Sequence, residues 1–150
     1  MKLKKIHMYP FTVTFDLLDA GKALHHPNYL IVLERARAAA LTLAGLSDME
    51  LWKLGYGITV AHVELQYLKP IRLGENVTIL TELLDVGSAT LEVRQSIVLL
   101  ENDHKNSFVQ SFSRTKDNLI HDAKLRLCCV DLETLRPRRF PDQLKQVMAI

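Results

Sequence analysis

The sequence predicts an α+β domain in which a strongly curved antiparallel sheet wraps around one long central helix. Two observations predict this fold. One strong amphipathic helix lies early in the chain, and every later long segment alternates apolar and polar residues between tight turns. The 150 residues are 48% hydrophobic and 24% charged, which suits one domain with a real core. Since no linker or repeat divides the chain, we assign residues 1–150 to a single domain.

The first half of the chain predicts a strand, a loop and the long helix. Phe11–Phe15 alternates apolar and polar residues, which predicts the first strand, and a loop over Asp16–His26 follows. Pro27 suits the first turn of a helix, and Gly45 suits the position just after its end. Between them, apolar side chains recur at steps of three and four and predict a buried face that consists of Tyr29, Val32, Leu33, Ala36, Ala40, Leu43 and Ala44. Polar side chains on the opposite side include Glu34 and Arg37.

The second half predicts a short helix and then strands only. Ser47 and Glu50 form a capping box that opens the short helix. Alternating segments predict strands over Ile58–Leu68, Asn76–Val86, Ala89–Leu100, Phe108–Arg114 and Leu119–Val130, the last two joined as a hairpin. In the first of these strands a strict alternation places Ile58, Val60, His62, Glu64, Gln66 and Leu68 on one face.

Charge and cysteine content exclude several classes of protein. The formal net charge is only +2, so we predict no nucleic-acid partner. The basic residues form two small clusters, Lys2, Lys4 and Lys5 near the start and Arg136, Arg138 and Arg139 near the end. No segment has the length of a membrane span or the apolar core of a signal peptide. The adjacent Cys128 and Cys129 are predicted to be buried thiols in a strand, and a cytoplasmic location is expected.

The densest group of polar and titratable residues lies between the first strand and the long helix, and comprises Asp16, Asp19, Lys22, His25, His26 and Asn28. The start of a helix presents unpaired backbone N–H groups, which can stabilise the oxyanion of an acyl-transfer intermediate. A carboxylate beside it can act as a nucleophile or as a base on water. The alternative reading is that Asp16 and Asp19 cap turns and that the histidines lie on the surface.

Other kinds of site find little support in the sequence. His25, His26, His62 and His121 lack the spacing of zinc ligands on one helix. There is no nucleophile elbow around a serine, no dinucleotide fingerprint and no P-loop, and the cysteines lie in an apolar strand. We therefore predict neither a metal nor a cofactor.

The residues around Asp19 resemble a known family. The resemblance rests on Phe15-Asp16-Leu17-Leu18-Asp19-Ala20-Gly21, His26-Pro27-Asn28-Tyr29-Leu30 and Leu33-Glu34-Arg35-Ala36-Arg37. It continues through Val63-Glu64-Leu65-Gln66-Tyr67-Leu68-Lys69-Pro70-Ile71 and Leu73-Gly74-Glu75, and ends at Cys129-Val130-Asp131, Arg136-Pro137 and Pro141. These segments resemble the 4-hydroxybenzoyl-CoA thioesterase-like hotdog family, which includes short-chain acyl-CoA thioesterases encoded with bacterial envelope genes. The resemblance implies a hotdog fold and hydrolysis of an acyl- or aroyl-CoA to the free acid and CoA.

The resemblance also implies roles for individual residues. Asp19 matches the catalytic aspartate, the backbone N–H of His26 matches the oxyanion donor, and His25 is a candidate to assist through its side chain. Tyr29 matches the aromatic residue of the motif. The family pairs the sheets of two protomers edge to edge, so a homodimer or a tetramer built as a dimer of dimers is expected. Its acyl pocket would then be lined by Thr59, Val60, Ala61, His62 and Val63 of the partner, and Arg136, Arg138 and Arg139 are candidates to contact the nucleotide.

The sequence departs from the family at three places. Leu17 stands where a second acidic residue is usual, although Asp16 is adjacent. Lys22 stands where glycine is frequent, and a cation there would favour the ionised form of Asp19. The stretch from Leu100 to Thr115 is longer than the family needs, which predicts an extended hairpin for a partner or a higher oligomer. Two alternatives stay open: a thioesterase that acts on acyl carrier protein in a fatty-acid or polyketide pathway, and a non-catalytic module that binds acyl-CoA.

Overall fold

The computed structural model describes residues 5–100 and 105–148, so Lys2, Lys4 and most of the predicted turn at residues 101–106 lie outside it. Within the described ranges the chain forms six strands and three α-helices. The strands are β1 Ile6–Thr12, β2 Tyr56–Tyr67, β3 Asn76–Val86, β4 Thr90–Val98, β5 Ser107–Val109 and β6 Leu119–Asp131. The helices are α1 Asn28–Leu43, α2 Asp48–Lys53 and α3 Asp142–Met148. None of these helices is long and apolar enough to cross a membrane.

The strands form a single antiparallel sheet in the order β2-β6-β4-β3-β1-β5. Helix α1 lies across one face of it, and its buried side chains pack against Ile79, Val93, Ile97 and Leu125 of the sheet. This confirms the predicted α+β class. The connection from β2 to β3 crosses the sheet, since β6 and β4 lie between them. Among the strands of the described residues, only β3 and β4 are consecutive in the chain and also neighbours in the sheet.

Helix α1 begins and ends within one residue of the predicted bounds. Pro27 directly precedes it, and Gly45 adopts a φ of 105° just after it, a conformation that glycine accepts without strain. Two side chains differ from the prediction. Leu43 is exposed, and Arg37, predicted to face solvent, turns inward and donates from Nη1 to Oε1 of Gln95 over 2.8 Å.

Helix α2 confirms the capping box, because the Ser47 hydroxyl accepts a hydrogen bond from the backbone N–H of Glu50 over 3.2 Å. The cysteines lie in β6 as predicted. Cys129 is buried and Cys128 is half-buried, and both are free thiols.

The predicted first strand was wrong in position. Strand β1 covers Ile6–Thr12, and Phe15, predicted to share a buried face with Phe11 and Val13, lies in a short 3-10 turn with 81% of its surface exposed. Pro10 interrupts the alternation without breaking the strand. It can lie there because β5 pairs only with Ile6–Met8 of β1, so no strand requires the missing N–H of Pro10 on that side.

The strict alternation predicted for β2 was also wrong. Ala61 is an extra residue in β2, since Val60 pairs with Leu127 and His62 with the next residue, Arg126. Such a bulge shifts the side-chain alternation by one residue. The inner face therefore carries Ile58 and Val60 before the bulge, and Val63, Leu65 and Tyr67 after it.

The predicted strand Phe108–Arg114 and its hairpin with the last strand are wrong. Only Ser107–Val109 is a strand, and this strand, β5, pairs with β1 at the edge of the sheet and not with β6. The chain from residue 110 to 118 has no strand and reaches β6 through a turn in which Asn118 and Thr115 exchange hydrogen bonds. Helix α3 had no counterpart in the prediction.

Candidate active site

The loop before α1 is fixed to the core at both ends. Leu17 and Leu24 are buried, and the backbone N–H of Leu24 donates to Ile71 O over 2.7 Å. The carbonyl of Leu17 accepts hydrogen bonds from the His25 N–H over 2.9 Å and from the Asn28 side-chain amide over 3.0 Å. These contacts place the polar residues of the loop on a rigid support beside the start of the helix.

Asp19 stands at the tip of this loop, exposed to solvent, and caps a tight turn with one oxygen of its carboxylate. Its Oδ1 accepts from the backbone N–H of Gly21 over 2.8 Å and from that of Ala23 over 3.3 Å. In the described residues nothing donates to its Oδ2. The carboxylate is therefore oriented by the turn through one oxygen, while the other remains open to a ligand.

Lys22 enters this turn through its backbone. Its φ is 61°, in the left-handed region where glycine is usual and other residues are strained. This explains physically why glycine is frequent at this position in the family that the sequence resembles. No ion pair joins its ammonium group to Asp19 within the described part of the chain. The expected effect of Lys22 on the ionisation of Asp19 is therefore not supported by a direct contact.

The structure shows why Leu17 stands where the family usually has a second acidic residue, and whether the adjacent Asp16 can replace it. Leu17 faces the core with 5% of its surface exposed, where a carboxylate would be desolvated. Asp16 is exposed, and its Oδ1 accepts a hydrogen bond from the Thr14 hydroxyl over 2.5 Å. Asp16 is thus an exposed residue of the 3-10 turn itself.

His26 lies two residues before α1 and presents a free donor. Among the described residues, no group accepts a hydrogen bond from its backbone N–H. Its carbonyl accepts from the Tyr67 hydroxyl over 3.0 Å, which anchors the residue to the end of β2. The ring of His26 contacts the ring of His25 edge-on, with 4.8 Å between centroids.

Three aromatic rings pack behind this anchor, and we call Tyr29, Tyr67 and His121 the aromatic cluster. The His121 ring stacks on Tyr29 with centroids 4.5 Å apart and meets Tyr67 edge-on at 4.8 Å. Burial raises the pKa of Tyr29, and the negative charges of Tyr67 and Asp19 raise it further. The predicted packing role of Tyr29 fits this arrangement.

His121 lies close to the start of α1, and the sequence did not predict this position. Its side chain is fully buried, and neither ring nitrogen has a hydrogen-bond partner in the described residues. Burial lowers the pKa of His121 to about 4, against a smaller opposing effect of Asp122, so the imidazole is neutral at physiological pH. His121 pairs with Tyr67 in the β2–β6 ladder, a contact that only the sheet register reveals.

The residues predicted to line an acyl pocket lie on an open edge. Strand β2 ends the sheet on one side, and within the described residues no strand pairs with its outer edge. Thr59, Val60, Ala61 and His62 are exposed, while Val63 is half-buried against the core. Within the described part of the chain, no hydrogen bond, ion pair or ring contact joins these residues to the loop of Asp19. The hydroxyl of Tyr67, near the other end of β2, does reach that loop, at the carbonyl of His26.

The three arginines near the C-terminus lie at the opposite end of β2 from Tyr67. The Arg138 guanidinium lies over the Tyr56 ring, 3.8 Å from its centroid, and its Nη1 is 3.4 Å from the Asp131 carboxylate. Arg136 and Arg139 are exposed, and no described residue accepts a hydrogen bond from either side chain. Arg138 is therefore fixed in place, and the other two guanidinium groups are free to meet an anion.

Comparison with known proteins identifies the family. A family model described as the thioesterase superfamily matches residues 21–103, which is more than half of the chain. The chain belongs to the thioesterase superfamily. The matched span begins two residues after Asp19, so it includes His25, His26 and the whole of α1.

Curated members of this superfamily align over nearly the full chain. The acyl-CoA thioester hydrolase YbgC of Escherichia coli O6:H1 is 26% identical over 136 residues, which cover 91% of this chain and 90% of YbgC. The acyl-CoA thioesterase YbgC of Haemophilus influenzae is 26% identical over 138 residues, with the same coverage of both chains. These relatives confirm the family predicted from the residues around Asp19.

Solved structures of similar proteins confirm the hotdog fold. Slr0204, a 1,4-dihydroxy-2-naphthoyl-CoA thioesterase from Synechocystis, superposes with a TM-score of 0.79 at 13% identity, over 95% of each chain. The protein SAV2348 of Staphylococcus aureus, solved in complex with CoA, superposes with a TM-score of 0.78 at 19% identity, over 98% of this chain and 84% of that one. The identities are low, so these structures establish the fold alone.

Proposed function

We propose that this thioesterase superfamily member hydrolyses acyl-CoA thioesters at a site formed by Asp19 and the backbone N–H of His26. The single observation that carries the proposal is that one rigid loop holds both the oriented carboxylate of Asp19 and the backbone N–H of His26, which has no acceptor in the described residues. The names of the aligned relatives, which are acyl-CoA thioester hydrolases, support CoA as the carrier.

The proposed chemistry uses each group for one task. The thioester carbonyl oxygen accepts a hydrogen bond from the His26 N–H, which stabilises the negative charge that develops on it. Asp19 takes a proton from water while the water oxygen attacks the carbonyl carbon; direct attack by the carboxylate is the alternative. The carbon–sulfur bond then breaks, and the CoA thiolate leaves and takes up the proton that Asp19 removed from water, which restores the Asp19 carboxylate. His25 is adjacent to His26 and remains a candidate for a supporting role.

We propose that a second copy of the chain completes the site. The unpaired edge of β2 can add a strand, and two copies related by a two-fold axis would pair it antiparallel. If β2 pairs over its whole length, Tyr56 faces the partner's Tyr67, so the start of one strand lies beside the end of the other. Arg138, which stacks on Tyr56, and the neighbouring Arg136 and Arg139 would then lie near His26 of the partner subunit.

This arrangement gives the arginines a role that they cannot have within one chain. The CoA moiety carries phosphate groups, which guanidinium groups bind well. Arg136 and Arg139 have no partner among the described residues, so they are free to contact a nucleotide bound at the partner's loop. A cytoplasmic location also remains our prediction, and the two free cysteines fit it.

Replacement of Asp19 by asparagine tests the catalytic role. Asn keeps an Oδ1 acceptor for the Gly21 N–H, so the turn should survive while the base is lost. We expect kcat on butanoyl-CoA to fall by about 100-fold or more. Asp16→Asn is the matched control, since Asp16 is an exposed turn carboxylate in the same loop, and it should retain normal turnover. Near-normal hydrolysis by Asp19→Asn would show that the assignment is wrong.

Two further measurements separate the open alternatives. Hydrolysis of the same acyl group on CoA and on acyl carrier protein decides which carrier the surface accepts. Tight binding of CoA thioesters without any cleavage by the wild-type protein would favour the non-catalytic module.

A further inference from the structure

A cavity between the second half of α1 and the inner face of the sheet has polar side chains on the side of β1 and β3. Its volume is about 440 Å³, within the range of small-molecule pockets. The sheet contributes hydrocarbon to the wall at Val93 of β4 and Leu127 of β6. On the side of β1 and β3 the wall carries Lys5, His7 and Thr81. Polar groups in an otherwise apolar cavity indicate where a ligand is recognised.

The side chains of His7 and Thr81 are direct neighbours across two strands. His7 of β1 pairs with Thr81 of β3, and Thr81 pairs with Gln95 of β4. Directly paired residues point to the same face of a sheet, with Cβ atoms about 5 Å apart. On its other side His7 pairs with Phe108 of β5, whose ring meets the imidazole edge-on with 5.2 Å between centroids. These four side chains therefore form one row across the inner face of the sheet.

The hydroxyl of Thr81 has a hydrogen to donate. Gln95 Oε1 accepts from Arg37 Nη1 over 2.8 Å, and Gln95 Nε2 donates to Leu33 O over 2.9 Å. Because a guanidinium only donates and a carbonyl only accepts, these two contacts fix the orientation of the Gln95 amide. The same Nε2 also donates to Thr81 Oγ1 over 2.9 Å. Thr81 Oγ1 is therefore an acceptor already, and no group in the described residues accepts its own hydrogen.

His7 offers the complementary capacity, a buried acceptor. Only 1% of its surface is exposed. Its Nε2 donates to Asn106 Oδ1, so Nδ1 of the neutral ring carries a lone pair. Burial lowers the pKa of His7, against a smaller opposing effect of the Asn106 hydrogen bond, so the ring is neutral at pH 7. Nδ1 has no hydrogen-bond partner in the described residues, and an unpaired buried acceptor is costly.

The charged groups around the cavity do not favour an ion as its ligand. Lys5, Glu34 and Asp48 are exposed at its rim, and Arg37 is half-buried in its wall. Two of these groups are cationic and two are anionic, so their charges balance. An anion would also meet the lone pair of the imidazole and would lose hydration against the hydrocarbon wall. A neutral group that both donates and accepts a hydrogen bond suits this wall.

We propose that the cavity binds a molecule with an apolar body and an alcohol hydroxyl group, and that His7 and Thr81 recognise this hydroxyl. The ligand hydroxyl donates its hydrogen to His7 Nδ1, and its oxygen accepts the hydrogen of the Thr81 hydroxyl. A single hydroxyl oxygen can do both because the two side chains are neighbours. The site uses neither Asp19 nor His26, so the proposal goes beyond the proposed function and does not rest on it.

Two probes with the same numbers of carbon and oxygen atoms test the role of His7. 1-Octanol donates and accepts a hydrogen bond, whereas heptyl methyl ether only accepts. We expect the wild-type protein to bind both saturably in calorimetry. His7→Leu should weaken the binding of 1-octanol by about tenfold and that of the ether little. The change in the ratio of the two dissociation constants between proteins cancels the different hydration of the probes.

Replacement of Thr81 by valine should have a different effect, because both probes carry an oxygen that accepts. Thr81→Val should weaken both probes by about fivefold and leave the ratio of their dissociation constants unchanged. Thr78→Val is the matched control, since Thr78 is a buried threonine of the same strand that does not line the cavity. It should bind both probes as the wild type does.

His7→Asn separates recognition of the hydroxyl from packing. Asparagine places its Oδ1 acceptor near the position of His7 Nδ1, so it should bind 1-octanol more tightly than His7→Leu does. Thermal melting checks that each variant folds, and His7→Asn and Thr81→Val decide the question if His7→Leu does not fold.

Three results would overturn the proposal. One is a wild-type protein that does not bind 1-octanol saturably. Another is the same ratio of dissociation constants in the wild type and in the folded His7 variants. The third is tighter binding of octanoate than of 1-octanol at pH 7, which would show that the cavity selects an anion.

A kinetic comparison separates two sources of the hydroxyl, a free alcohol and the acyl group of a thioester. A higher kcat/KM for 8-hydroxyoctanoyl-CoA than for octanoyl-CoA, lost in His7→Asn and Thr81→Val, would assign the hydroxyl to the acyl group. Equal kcat/KM values, with binding of 1-octanol as expected, would assign it to a separate molecule. Failure of the protein to hydrolyse any thioester would reject the proposed function and leave the binding test of this site intact.

Discussion

Replacing His121 by phenylalanine should stabilise the protein in acid, because His121 is a buried imidazole that must stay neutral. Its ring is enclosed by Tyr29 and Tyr67 and has no hydrogen-bond partner in the described residues. Burial lowers its pKa from the usual 6.5 to about 4. Phenylalanine keeps the stacking surface and has no proton to gain or lose.

The size of the effect follows from the difference in pKa between the folded and the unfolded chain. Below pH 6.5 the unfolded chain protonates His121 while the folded chain does not, so this residue lowers stability increasingly as the pH falls towards 4. One pKa unit corresponds to about 1.4 kcal/mol. The full penalty is therefore about 3 kcal/mol below pH 4, and about 2 kcal/mol of it is present at pH 4.5. Above pH 6.5 it is absent.

Urea denaturation at pH 7 and at pH 4.5 measures how much His121 contributes to the pH dependence of the free energy of unfolding. The free energy of unfolding of the wild type should fall by about 2 kcal/mol more between these pH values than that of His121→Phe. Burial also lowers the pKa of His7, but both proteins retain that residue, so the comparison cancels it. His62→Gln, which removes an exposed histidine, should change with pH as the wild type does. Equal losses in the wild type and His121→Phe would refute the reasoning.

Two further outcomes test the proposed catalytic loop around Asp19 and His26. Tyr67→Phe removes the hydroxyl that holds the His26 carbonyl, so kcat should fall by about fivefold, the equivalent of one hydrogen bond, with KM nearly unchanged. Tyr9→Phe, which removes a hydroxyl with no partner in the described residues, is the control, and equal kcat values in the two variants would contradict the anchoring role. Lys22→Gly relieves a φ of 61° and should raise the free energy of unfolding by about 1 kcal/mol in urea denaturation. A destabilised Lys22→Gly would show that the lysine side chain makes a contact worth more than this strain.

The parts of the fold that depend on local physics were predictable from the sequence. Helix α1 follows from the spacing of its apolar residues and from Pro27 and Gly45 at its ends. The Ser47 cap of α2 and the length of β3 follow in the same way. Each of these features is determined by residues within a few positions of one another.

The bulge in β2 is visible in the sequence as a change in the spacing of the apolar residues, which a strict alternation rule ignores. The apolar residues Ile58, Val60, Val63 and Leu65 are spaced by two, three and two, and the step of three contains the bulged Ala61. A single uniform alternation forced His62 and Glu64 onto the same face as Ile58. The exposed pair that these two side chains form, with 3.3 Å between His62 Nε2 and Glu64 Oε1, lies on the outer face.

The candidate site likewise has parts that local sequence determines and parts that depend on contacts between distant residues. The Asp19 turn and the start of α1 are local, so the sequence and its family resemblance could indicate them. The contact of His121 with Tyr29 joins residues 92 positions apart and depends on the register of β2 and β6. The pairing of β5 with β1 likewise depends on a long connection that local patterns do not determine.

The open edge of β2 has a consequence for the fate of the chain in a cell. A twelve-residue strand with unpaired backbone groups and the exposed side chains of Val60 and Tyr67 is a template on which other chains can add. If two copies pair through this edge as proposed, a substitution that weakens the pairing would release a monomer that is prone to aggregate. Such a variant is expected to be lost from the soluble fraction during expression, even where Asp19 and His26 are intact.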